Sequence, residues 1–338
     1  MRDGLEPLRE LGIEVEVRPW EHTALAELQE ANLAIEQDGP EAVPLPDDLL
    51  EDCAAFDILV VQFAPVSRKF IELAGSLSVI GVLRGGTENV DVPVATRRGI
   101  CVMNTPGRNA RAVAECTIAL MLAEIRNIAR AHASLKHGVW RRDFPNSAAI
   151  PELNGKTVGL IGYGAVGQLV AHYLEAFGSK VVAYDPFFQG DPAPVTLVEL
   201  PELLAQSDVV SLHARLTADN QHLIGRSELA QMKRSAVIVN TARSGLIDEA
   251  ALAEALAAQT IMGAAIDVFD QEPLDDNHPL LALENATLTP HLAGSTVDAF
   301  RGSPALMAGH LKRLYEGAEH VPIINGVRAE RKGLETRD

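Results

Sequence analysis

Three ionisable residues in the last third of the sequence have the side chains needed for proton transfer on a small organic acid. Arg243 follows the apolar run at 236–239, and Glu272 and His291 each follow a further apolar run. An imidazole exchanges a proton with a hydroxyl or carbonyl oxygen near neutral pH, and a neighbouring carboxylate raises the imidazole pKa. A guanidinium binds a carboxylate through two parallel hydrogen bonds and stays charged at any working pH. We therefore expect Arg243 to hold an acid and to polarise its carbonyl group.

Each of these residues also has a purely structural interpretation. A histidine at a strand end is more often a satisfied structural residue than a catalyst, and Glu272 beside Pro273 is compatible with an ordinary turn. All three residues follow the ends of predicted parallel strands, and ligands of open parallel sheets bind at the carboxyl edge. This shared position favours a catalytic role over the structural one. We predict that the three side chains face one cleft.

The elements that position these residues alternate between strand and helix. From Lys156 onward, helix-like segments separate six short apolar runs, at residues 157–162, 180–185, 208–213, 236–241, 262–268 and 286–291. Strands that are apolar on both faces, with helices between them, indicate a parallel, doubly wound sheet. One of the helices is expected to begin at Asp248, with acidic residues in its first turn.

The first third of the sequence repeats this pattern more weakly. Its strand-like runs lie at 14–17, 57–62, 78–83 and 100–104. Three prolines and a glycine mark residues 38–48 as a loop. A long helix is predicted over 110–137, and another helical pattern extends from 295 to 316.

A glycine-rich turn, GYGAVG, lies at residues 162–167 between a predicted strand and a predicted helix. The next strand ends in Asp185, about 20 residues further on, which is the context of a dinucleotide-binding fingerprint. Gly162 permits the tight turn, Gly164 lets the backbone approach a pyrophosphate, and Gly167 lets helix and strand pack closely. A turn that binds nothing is the alternative.

The groups around this turn indicate which dinucleotide binds. The backbone N–H groups of Ala165 and Val166 are expected to meet the pyrophosphate at the helix N-terminus. Asp185 is expected to accept hydrogen bonds from the adenosine ribose, and a 2′-phosphate would meet this carboxylate. No arginine or lysine at 186–188 would neutralise such a phosphate. We therefore predict NAD as the cofactor in preference to NADP.

These patterns together predict an α/β fold with two domains. Residues 106–294 are expected to form a Rossmann domain with a doubly wound parallel sheet. Residues 1–105 and 295–338 are expected to form a smaller, flavodoxin-like α/β lid domain, into which the Rossmann domain is inserted. Two chain crossings between such domains make a hinge.

Composition and charge exclude several classes of partner. The chain has 338 residues, with 47% apolar and 22% charged, which is typical of an ordered globule. With 29 basic and 46 acidic side chains, the net charge of −17 makes nucleic acid and anionic membrane poor partners. Three scattered cysteines give no zinc or disulfide pattern, so we expect no metal. No apolar run approaches the roughly 18 residues of a membrane span, and no signal peptide is evident, so we expect a cytoplasmic location.

Four ordered blocks resemble the D-isomer-specific 2-hydroxyacid dehydrogenases, the family that includes 3-phosphoglycerate, formate and glyoxylate/hydroxypyruvate enzymes. The blocks are GYGAVG, NTARSGLIDEAAL, AIDVFDQEPL and TPHLAGST, and the similarity covers about 57–325. The resemblance implies hydride transfer between NAD(H) and a D-2-hydroxyacid/2-keto acid pair. It implies that Arg243 binds the substrate carboxylate, that Glu272 supports the acid/base group, and that His291 is that group.

The resemblance implies further contacts. Beyond the glycine turn, the implied NAD contacts are Ala165, Val166, Asp185, His213, Ala214, Thr241, Ala242, Asp267 and Gly294. The loop that begins with Arg84, Gly85 and Gly86 is implied to receive the substrate carboxylate on its backbone N–H groups, although a plain turn is the alternative. Trp140 and Arg142 are implied to reach a partner subunit, which predicts a homodimer; a solvent-exposed loop is the alternative there.

Some features depart from the family pattern. The phosphoglycerate enzymes have an Arg-Ser pair where this chain has Gln62-Phe63, and their loop equivalent to 84–91 is about two residues longer. Both differences weaken the case for a phosphate-bearing substrate. Family members usually begin with a strand, whereas this chain begins in the following helix, so either the start codon is misassigned or the lid lacks that strand. The alternative function is an NAD-binding regulatory protein, like the corepressors of one family branch.

Overall fold

Two parallel sheets form the framework of the residues that the computed structural model describes, 2–147 and 151–329. Contacts between Cα atoms divide the chain into two units. The first comprises Met1–Arg108 and Val297–Asp338, and the second comprises Asn109–Thr296. The chain thus leaves the first unit once and returns to it near its end.

The strands are short and pair only in parallel within each sheet. They are β1 (Ile58–Val61), β2 (Val79–Val82), β3 (Cys101–Asn104), β4 (Thr157–Ile161), β5 (Lys180–Tyr184), β6 (Thr196–Leu197), β7 (Val209–Leu212), β8 (Val237–Asn240), β9 (Gly263–Ile266) and β10 (Ala286–Leu288). The first unit contains the sheet β1-β2-β3, and the second contains the sheet β10-β9-β8-β7-β4-β5-β6.

Helices connect most of these strands. They are α1 (Arg2–Leu5), α2 (Leu25–Asp38), α3 (Asp47–Leu50), α4 (Arg68–Leu73), α5 (Val92–Arg97), α6 (Ala110–Ile125), α7 (Ile128–Lys136), α8 (Ala165–Ala176), α9 (Leu200–Gln206), α10 (Arg226–Leu229), α11 (Glu249–Ala257) and α12 (Val297–Tyr315). None of the described helices combines the length and apolar character that a membrane crossing requires. As expected, α11 begins beside Asp248, whose carboxylate accepts a hydrogen bond from Ala251 N at 3.0 Å.

The seven-stranded sheet is doubly wound around β4. The chain passes from β4 outward to β5 and β6, and then continues on the other side through β7 to β10. Side chains of β8 alternate between two apolar clusters: Val237 and Val239 lie in one, and Ile238 lies in the other. A strand buried on both faces reads as a continuous apolar run, which is why the sequence predicted these strands.

The first unit has one strand fewer than its sequence pattern predicted. Residues 14–17 form no strand, although Val15 packs against the cluster that includes Val79 of β2 and Met307 of α12. Alternating glutamates and apolar residues give this segment one apolar face, but that face packs without joining the sheet. The runs predicted at 57–62, 78–83 and 100–104 form β1, β2 and β3.

The helix predicted over 110–137 is two helices, α6 and α7, separated at Asn127. This asparagine has a left-handed backbone with φ of 57°. Its side-chain amide donates to Asn146 Oδ1 at 2.6 Å, and the Asn146 amide donates to the Ile125 carbonyl at 3.0 Å. Asparagine tolerates this conformation better than most residues, so the break needed no glycine or proline in the sequence.

A buried carboxylate fastens α6 to its neighbours. Glu124 is 2% exposed, forms an ion pair with Arg130 of α7, and accepts a hydrogen bond from Thr287 Oγ1 of β10 at 2.6 Å. Burial raises the pKa of Glu124, and the positive charge of Arg130 opposes this shift. Arg130 therefore compensates a charge that would otherwise be buried alone.

We predict that Arg130→Met lowers the free energy of unfolding by about 3–5 kcal/mol, because it leaves Glu124 without its counter-charge. Arg141→Met is the matched control, since Arg141 pairs with Glu284 at 2.7 Å through substantially exposed side chains. Its expected effect is about 0.2–1 kcal/mol. Urea unfolding followed by circular dichroism measures both variants, and equal losses would contradict the role given to Arg130.

Candidate active site

Six neighbouring strands of the second unit end in a single row. The paired Cα positions along this row are Tyr184, Ile161, Leu212, Asn240, Ile266 and Leu288. The residues one position further on are Asp185, Gly162, His213, Thr241, Asp267 and Thr289. Because the strands are parallel and in register, these residues share the carboxyl edge, where ligands of such sheets bind.

The glycine turn after β4 has no space for side chains at two of its three glycines. Gly162 has φ of 96°, and a Cβ on it would lie 2.5 Å from Ala214 N and 2.7 Å from the carbonyl carbon of His213. A Cβ on Gly167 would collide with the carbonyl oxygen of Gly162. At Gly164, by contrast, a Cβ would meet nothing within 4 Å. The turn is therefore closed toward the sheet and open at the one glycine that the fingerprint assigns to the pyrophosphate.

The helix that follows the turn begins without a side-chain cap. Gly164 is the N-cap residue of α8, so no side chain of the cap competes for the first N–H groups, including those of Ala165 and Val166. Uncapped N–H groups and the helix dipole together attract an anion. This helix end fits the pyrophosphate of a dinucleotide.

The carboxylate of Asp185 is held at the end of β5 by backbone donors. Tyr163 N donates to one of its oxygens at 2.8 Å, and Phe187 N donates to the other at 3.0 Å. A carboxylate has about four acceptor positions, so two remain for ribose hydroxyl groups. Tyr163 had no assigned role in the sequence, because its contribution is a backbone N–H group.

His213, at the end of β7, is held in its neutral form. Its Nε2 is 3.0 Å from Ser211 Oγ, and its Nδ1 is buried with no hydrogen-bond partner among the described residues. Burial lowers its pKa from 6.5 to about 3. One ring nitrogen at the edge that carries the glycine turn thus has an unused hydrogen-bonding capacity.

Two of the other predicted cofactor contacts have side chains or backbone groups bonded within the unit. Thr241 Oγ1 is 2.7 Å from Thr117 Oγ1 of α6, and Ala242 N donates to Asn240 Oδ1 at 3.0 Å. Gly294 lies against Asn109, so a Cβ would collide there. Their contacts with NAD remain predictions.

Asp267 is fully buried and organises the segment after β10. Its carboxylate accepts hydrogen bonds from Thr289 Oγ1 at 2.5 Å, Leu292 N at 2.9 Å and Ala293 N at 2.9 Å. The Asp267 carbonyl oxygen accepts a hydrogen bond from His291 N at 2.8 Å. Asp267 thus holds the segment that carries His291 through these hydrogen bonds.

His291 and Glu272 form a direct pair. His291 Nδ1 is 2.8 Å from Glu272 Oε2, and Glu272 Oε1 accepts a hydrogen bond from Phe269 N at 3.0 Å. His291 has a left-handed backbone with φ of 51°, an uncommon conformation for a residue with a side chain. The contacts to Asp267 hold it in that conformation.

Arg243 lies beside this pair on the neighbouring strand end. Asn240 Nδ2 donates to the Arg243 carbonyl oxygen at 2.9 Å, which positions the backbone. The exposed guanidinium donates to the Ala242 carbonyl oxygen at 2.7 Å. The charge of Arg243 lowers the pKa values of both Glu272 and His291, so Arg243 lies close enough to act on both members of the pair.

The charges of the pair stabilise each other. The hydrogen bond to Glu272 raises the pKa of His291, and it outweighs burial and the charge of Arg243, which lower it. Burial alone would raise the pKa of Glu272, but hydrogen bonds from His291 and from Phe269 N lower it on balance. The pair can therefore hold a proton on the imidazole at higher pH than an isolated histidine.

The loop predicted to receive the substrate carboxylate belongs to the first unit. Arg84 follows β2, and its carbonyl oxygen accepts a hydrogen bond from Thr105 N at 3.0 Å. Its guanidinium forms an ion pair with Glu36 of α2. Gly85 is exposed, and the Glu88 carboxylate lies against Gly86.

Comparison with known proteins gives the family. Residues 118–293 match the family model described as D-isomer specific 2-hydroxyacid dehydrogenase, NAD binding domain. The chain is 43% identical over 295 residues to D-3-phosphoglycerate dehydrogenase of Methanocaldococcus jannaschii, over 85% of this chain and 55% of that relative. The chain belongs to the D-isomer specific 2-hydroxyacid dehydrogenase family.

The chain is also similar to two further proteins. Hydroxypyruvate reductase of Thermotoga maritima is 44% identical over 258 residues, covering 75% of this chain and 83% of that protein. NAD-dependent formate dehydrogenase from Staphylococcus aureus, solved in complex with NAD, matches with a TM-score of 0.64 at 30% identity, over 82% and 85% of the two chains. The chain spans about half the length of the Methanocaldococcus jannaschii relative. The predicted family, Rossmann fold and NAD cofactor are confirmed.

A second histidine–glutamate pair supports the loop that carries Glu272. His278 Nε2 is 2.7 Å from Glu249 Oε1, and Asp270 N donates to Glu249 Oε2 at 3.3 Å. The His278 ring also meets the ring of Phe269 edge-on, with centroids 6.1 Å apart. Sequence reasoning missed this pair, although His278 and Glu249 lie within or beside the blocks that resemble the family.

We predict that the ring pKa of His291 lies above its ordinary value of 6.5 and that Glu272→Gln lowers it. The amide no longer favours the charged imidazole. By linkage, the stabilisation from a charged His291 is present below pH 6.5 and is lost as pH rises through the raised pKa. Proton NMR titration of the imidazole measures this, with the His291→Gln variant identifying the resonance.

Glu284→Gln is the control for this titration, because Glu284 is exposed and pairs with Arg141. It is expected to leave the His291 pKa unchanged. A His291 pKa that is the same in Glu272→Gln and in the unaltered protein would contradict the electrostatic coupling.

Proposed function

We propose that this chain is an NAD-dependent oxidoreductase that interconverts a D-2-hydroxyacid and the corresponding 2-keto acid. The observation that carries the proposal is the His291–Glu272 pair, joined at 2.8 Å within the field of Arg243. The pair lies at the carboxyl edge that also carries the dinucleotide turn. Relatives named D-3-phosphoglycerate dehydrogenase and hydroxypyruvate reductase support this reaction class.

His291 is proposed as the acid/base group. Its Nδ1 is engaged by Glu272, so Nε2 is the nitrogen left to exchange a proton with the substrate oxygen. NAD(H), when bound, supplies or accepts the hydride. In oxidation His291 takes the proton of the 2-hydroxyl group, and in reduction the imidazolium returns a proton to the 2-keto oxygen. Such proton transfer typically contributes about 10²- to 10⁴-fold to a rate.

Arg243 and Glu272 are proposed to prepare this step. Arg243 binds the substrate carboxylate and polarises the adjacent carbonyl group, which stabilises negative charge on its oxygen. Glu272 holds the imidazole by Nδ1 and favours its protonated form. The first unit is proposed as the substrate-binding lid, with the loop at 84–86 receiving the carboxylate through its backbone N–H groups.

The unaltered protein is predicted to oxidise NADH in the presence of at least one 2-keto acid, among hydroxypyruvate, glyoxylate, phosphohydroxypyruvate and sugar-derived acids. His291→Gln is expected to lower kcat by about 10²- to 10⁴-fold and to keep NADH affinity, because only proton transfer is lost. Absorbance at the NADH band measures turnover, and fluorescence titration measures NADH binding. His172→Gln, an exposed histidine on α8, is the matched control.

A fully active His291→Gln variant would remove the proposed acid/base group. If no 2-keto acid supports NADH oxidation by the unaltered protein while NADH still binds, the NAD-binding regulatory function becomes the better explanation.

The cofactor preference is proposed to depend on Asp185. Its carboxylate is fixed by Tyr163 N and Phe187 N, so it cannot readily turn away from a 2′-phosphate. We predict that kcat/KM with NADH exceeds that with NADPH, and that Asp185→Ser narrows the ratio by about tenfold or more. Steady-state kinetics with both cofactors measures this, and equal use of the two by the unaltered enzyme would contradict it.

We propose a homodimer formed through the second unit. Helix α7 has no buried residue, yet Ile128 and Leu135, seven positions apart on one face, are 55% and 54% exposed. Trp140 is 81% exposed, and Arg142 is exposed as well. Large apolar side chains clustered at a surface favour burial against a partner.

A cytoplasmic location of the protein stays a prediction.

Light scattering after size exclusion is predicted to give twice the chain mass of 36.3 kDa. Leu135→Asp is expected to shift the mass to that of one chain, because a carboxylate would be buried at the interface. Leu73→Asp, which alters a residue of the first unit that is 48% exposed, is the matched control. A monomeric unaltered protein would contradict the proposed dimer.

A further inference from the structure

Two arginine side chains of the first unit lie near each other against a pair of aromatic rings. The Arg84 guanidinium carbon is 5.6 Å from the centroid of the Phe63 ring, and that of Arg108 is 5.3 Å from the centroid of Phe300. The two ring centroids are 6.1 Å apart. Four residues distant in sequence, on four different segments, thus bring two cations to one place.

The hydrogen-bonding capacity of these arginines is only partly used. Nη1 of Arg84 and Nη1 of Arg108 are both buried, and neither has a hydrogen-bond partner within residues 2–147 and 151–329. A guanidinium has five N–H donors and no acceptor, so only an acceptor-bearing group can satisfy it. Two neighbouring guanidinium groups with one unused donor each are suited to the oxygens of one anion.

The charge at this place is also only partly balanced. Glu36 forms an ion pair with Arg84, and no ion pair of Arg108 is found in the described part of the chain. Burial lowers the pKa of Arg108, and the positive charge of Arg84 lowers it further. An anion bound between the two guanidinium groups would remove this repulsion.

We propose that Arg84 and Arg108 form an anion site that takes a phosphate or carboxylate group carried by the substrate in addition to its 2-keto acid group. This rests on the proposed function, in which the loop that begins at Arg84 receives the substrate. The planar guanidinium groups match the oxygens of either anion in bidentate fashion. The rings of Phe63 and Phe300 support the guanidinium faces through cation–π contacts.

The same site accounts for a departure in the sequence. Gln62-Phe63 stands where the phosphoglycerate enzymes resemble one another in an Arg-Ser pair, which weakened the case for a phosphate-bearing substrate. In this chain Phe63 supports Arg84, and Arg108 supplies a second cation from the segment after β3. This chain therefore has two arginines at this place, although it lacks the arginine of that pair.

The first test compares pairs of substrates that differ in one anionic group: hydroxypyruvate with phosphohydroxypyruvate, and 2-oxobutyrate with 2-oxoglutarate. The unaltered enzyme is expected to have a higher kcat/KM for the more anionic member of one of these pairs. A preference for phosphohydroxypyruvate would show that the site takes a phosphate, and a preference for 2-oxoglutarate would show that it takes a carboxylate. Arg108→Met is expected to lower kcat/KM for this member about 10- to 100-fold more than for its partner. Arg97→Met, which removes an exposed arginine of the same unit, is the control. No preference in either pair, or an equal loss on both members, would overturn the anion site.

The second test needs no turnover, so it separates this site from the proposed reaction. Isothermal titration of the full chain with inorganic phosphate and with malonate is expected to show saturable binding of at least one of them. Binding is expected to be lost in Arg108→Met and kept in Arg97→Met. Absence of saturable binding, or unchanged binding in Arg108→Met, would overturn the anion site even in an active dehydrogenase. Binding without any keto-acid reduction would keep the anion site and refute the reaction.

Discussion

Parallel pairing in register is the constraint on which the site depends. Because the strands from β5 through β4 to β10 end in one row, any residue placed immediately after a strand lies on the same edge. Groups separated by more than a hundred positions, such as Gly162 and His291, then belong to one edge of one sheet. The sheet itself needs only apolar residues on both faces, so the identity of the strand-end residues is free to serve chemistry.

Hydrogen-bonded carboxylates, of which Asp267 is fully buried, give this shared edge a defined geometry. Asp267 ties the segment after β10 to the end of β9, and His291 is held in its left-handed conformation by the same residue. Glu272 is in turn held by Phe269 N and by the loop that Glu249 and His278 support. The carboxylates of Asp267, Glu272 and Glu249 each accept at least two hydrogen bonds, which stabilises a charge that burial alone would disfavour. The backbone of His291 is therefore held by Asp267, and its ring by the hydrogen bond to Glu272.

The net charge of −17 makes the placement of cations informative. A protein with this balance repels anions at long range, and screening at physiological salt limits that repulsion to about 8 Å. Attraction to a small acid must therefore come from cations close to the point of binding. Arg243 in the second unit, and Arg84 with Arg108 in the first, are such local cations.

Much of this arrangement could be predicted from the sequence, and the failures have physical reasons. Six of the seven strands of the second unit, the glycine turn and the strand-end positions of Arg243, Glu272 and His291 were predictable because their signals are local: continuous apolar runs, a fixed glycine spacing, and polar residues directly after a strand. The two-residue strand β6 was missed, because both of its residues are exposed and it has no apolar run. The strand predicted at 14–17 was wrong. An alternating pattern indicates that a segment has one apolar face, but it does not show whether a neighbouring strand is available for pairing. The break at Asn127 depends on Asn146, a contact formed by a residue nineteen positions away that no periodicity encodes. The roles of Asn240, Glu249 and Tyr163 were missed because they act through backbone groups or through other side chains, which the residue types alone do not show.

The discontinuous first unit has a consequence for how the protein is made. Its apolar cluster at β2 and β3 is completed by Met307 and Leu311 of α12, and Ile323 pairs with Met103 beyond that helix. A ribosome synthesises the whole of 109–296 before any of these residues exist. The second unit can therefore fold while the earlier segment still exposes apolar surface, and that segment must wait, in a state exposed to chaperones and proteases, until the last helix emerges.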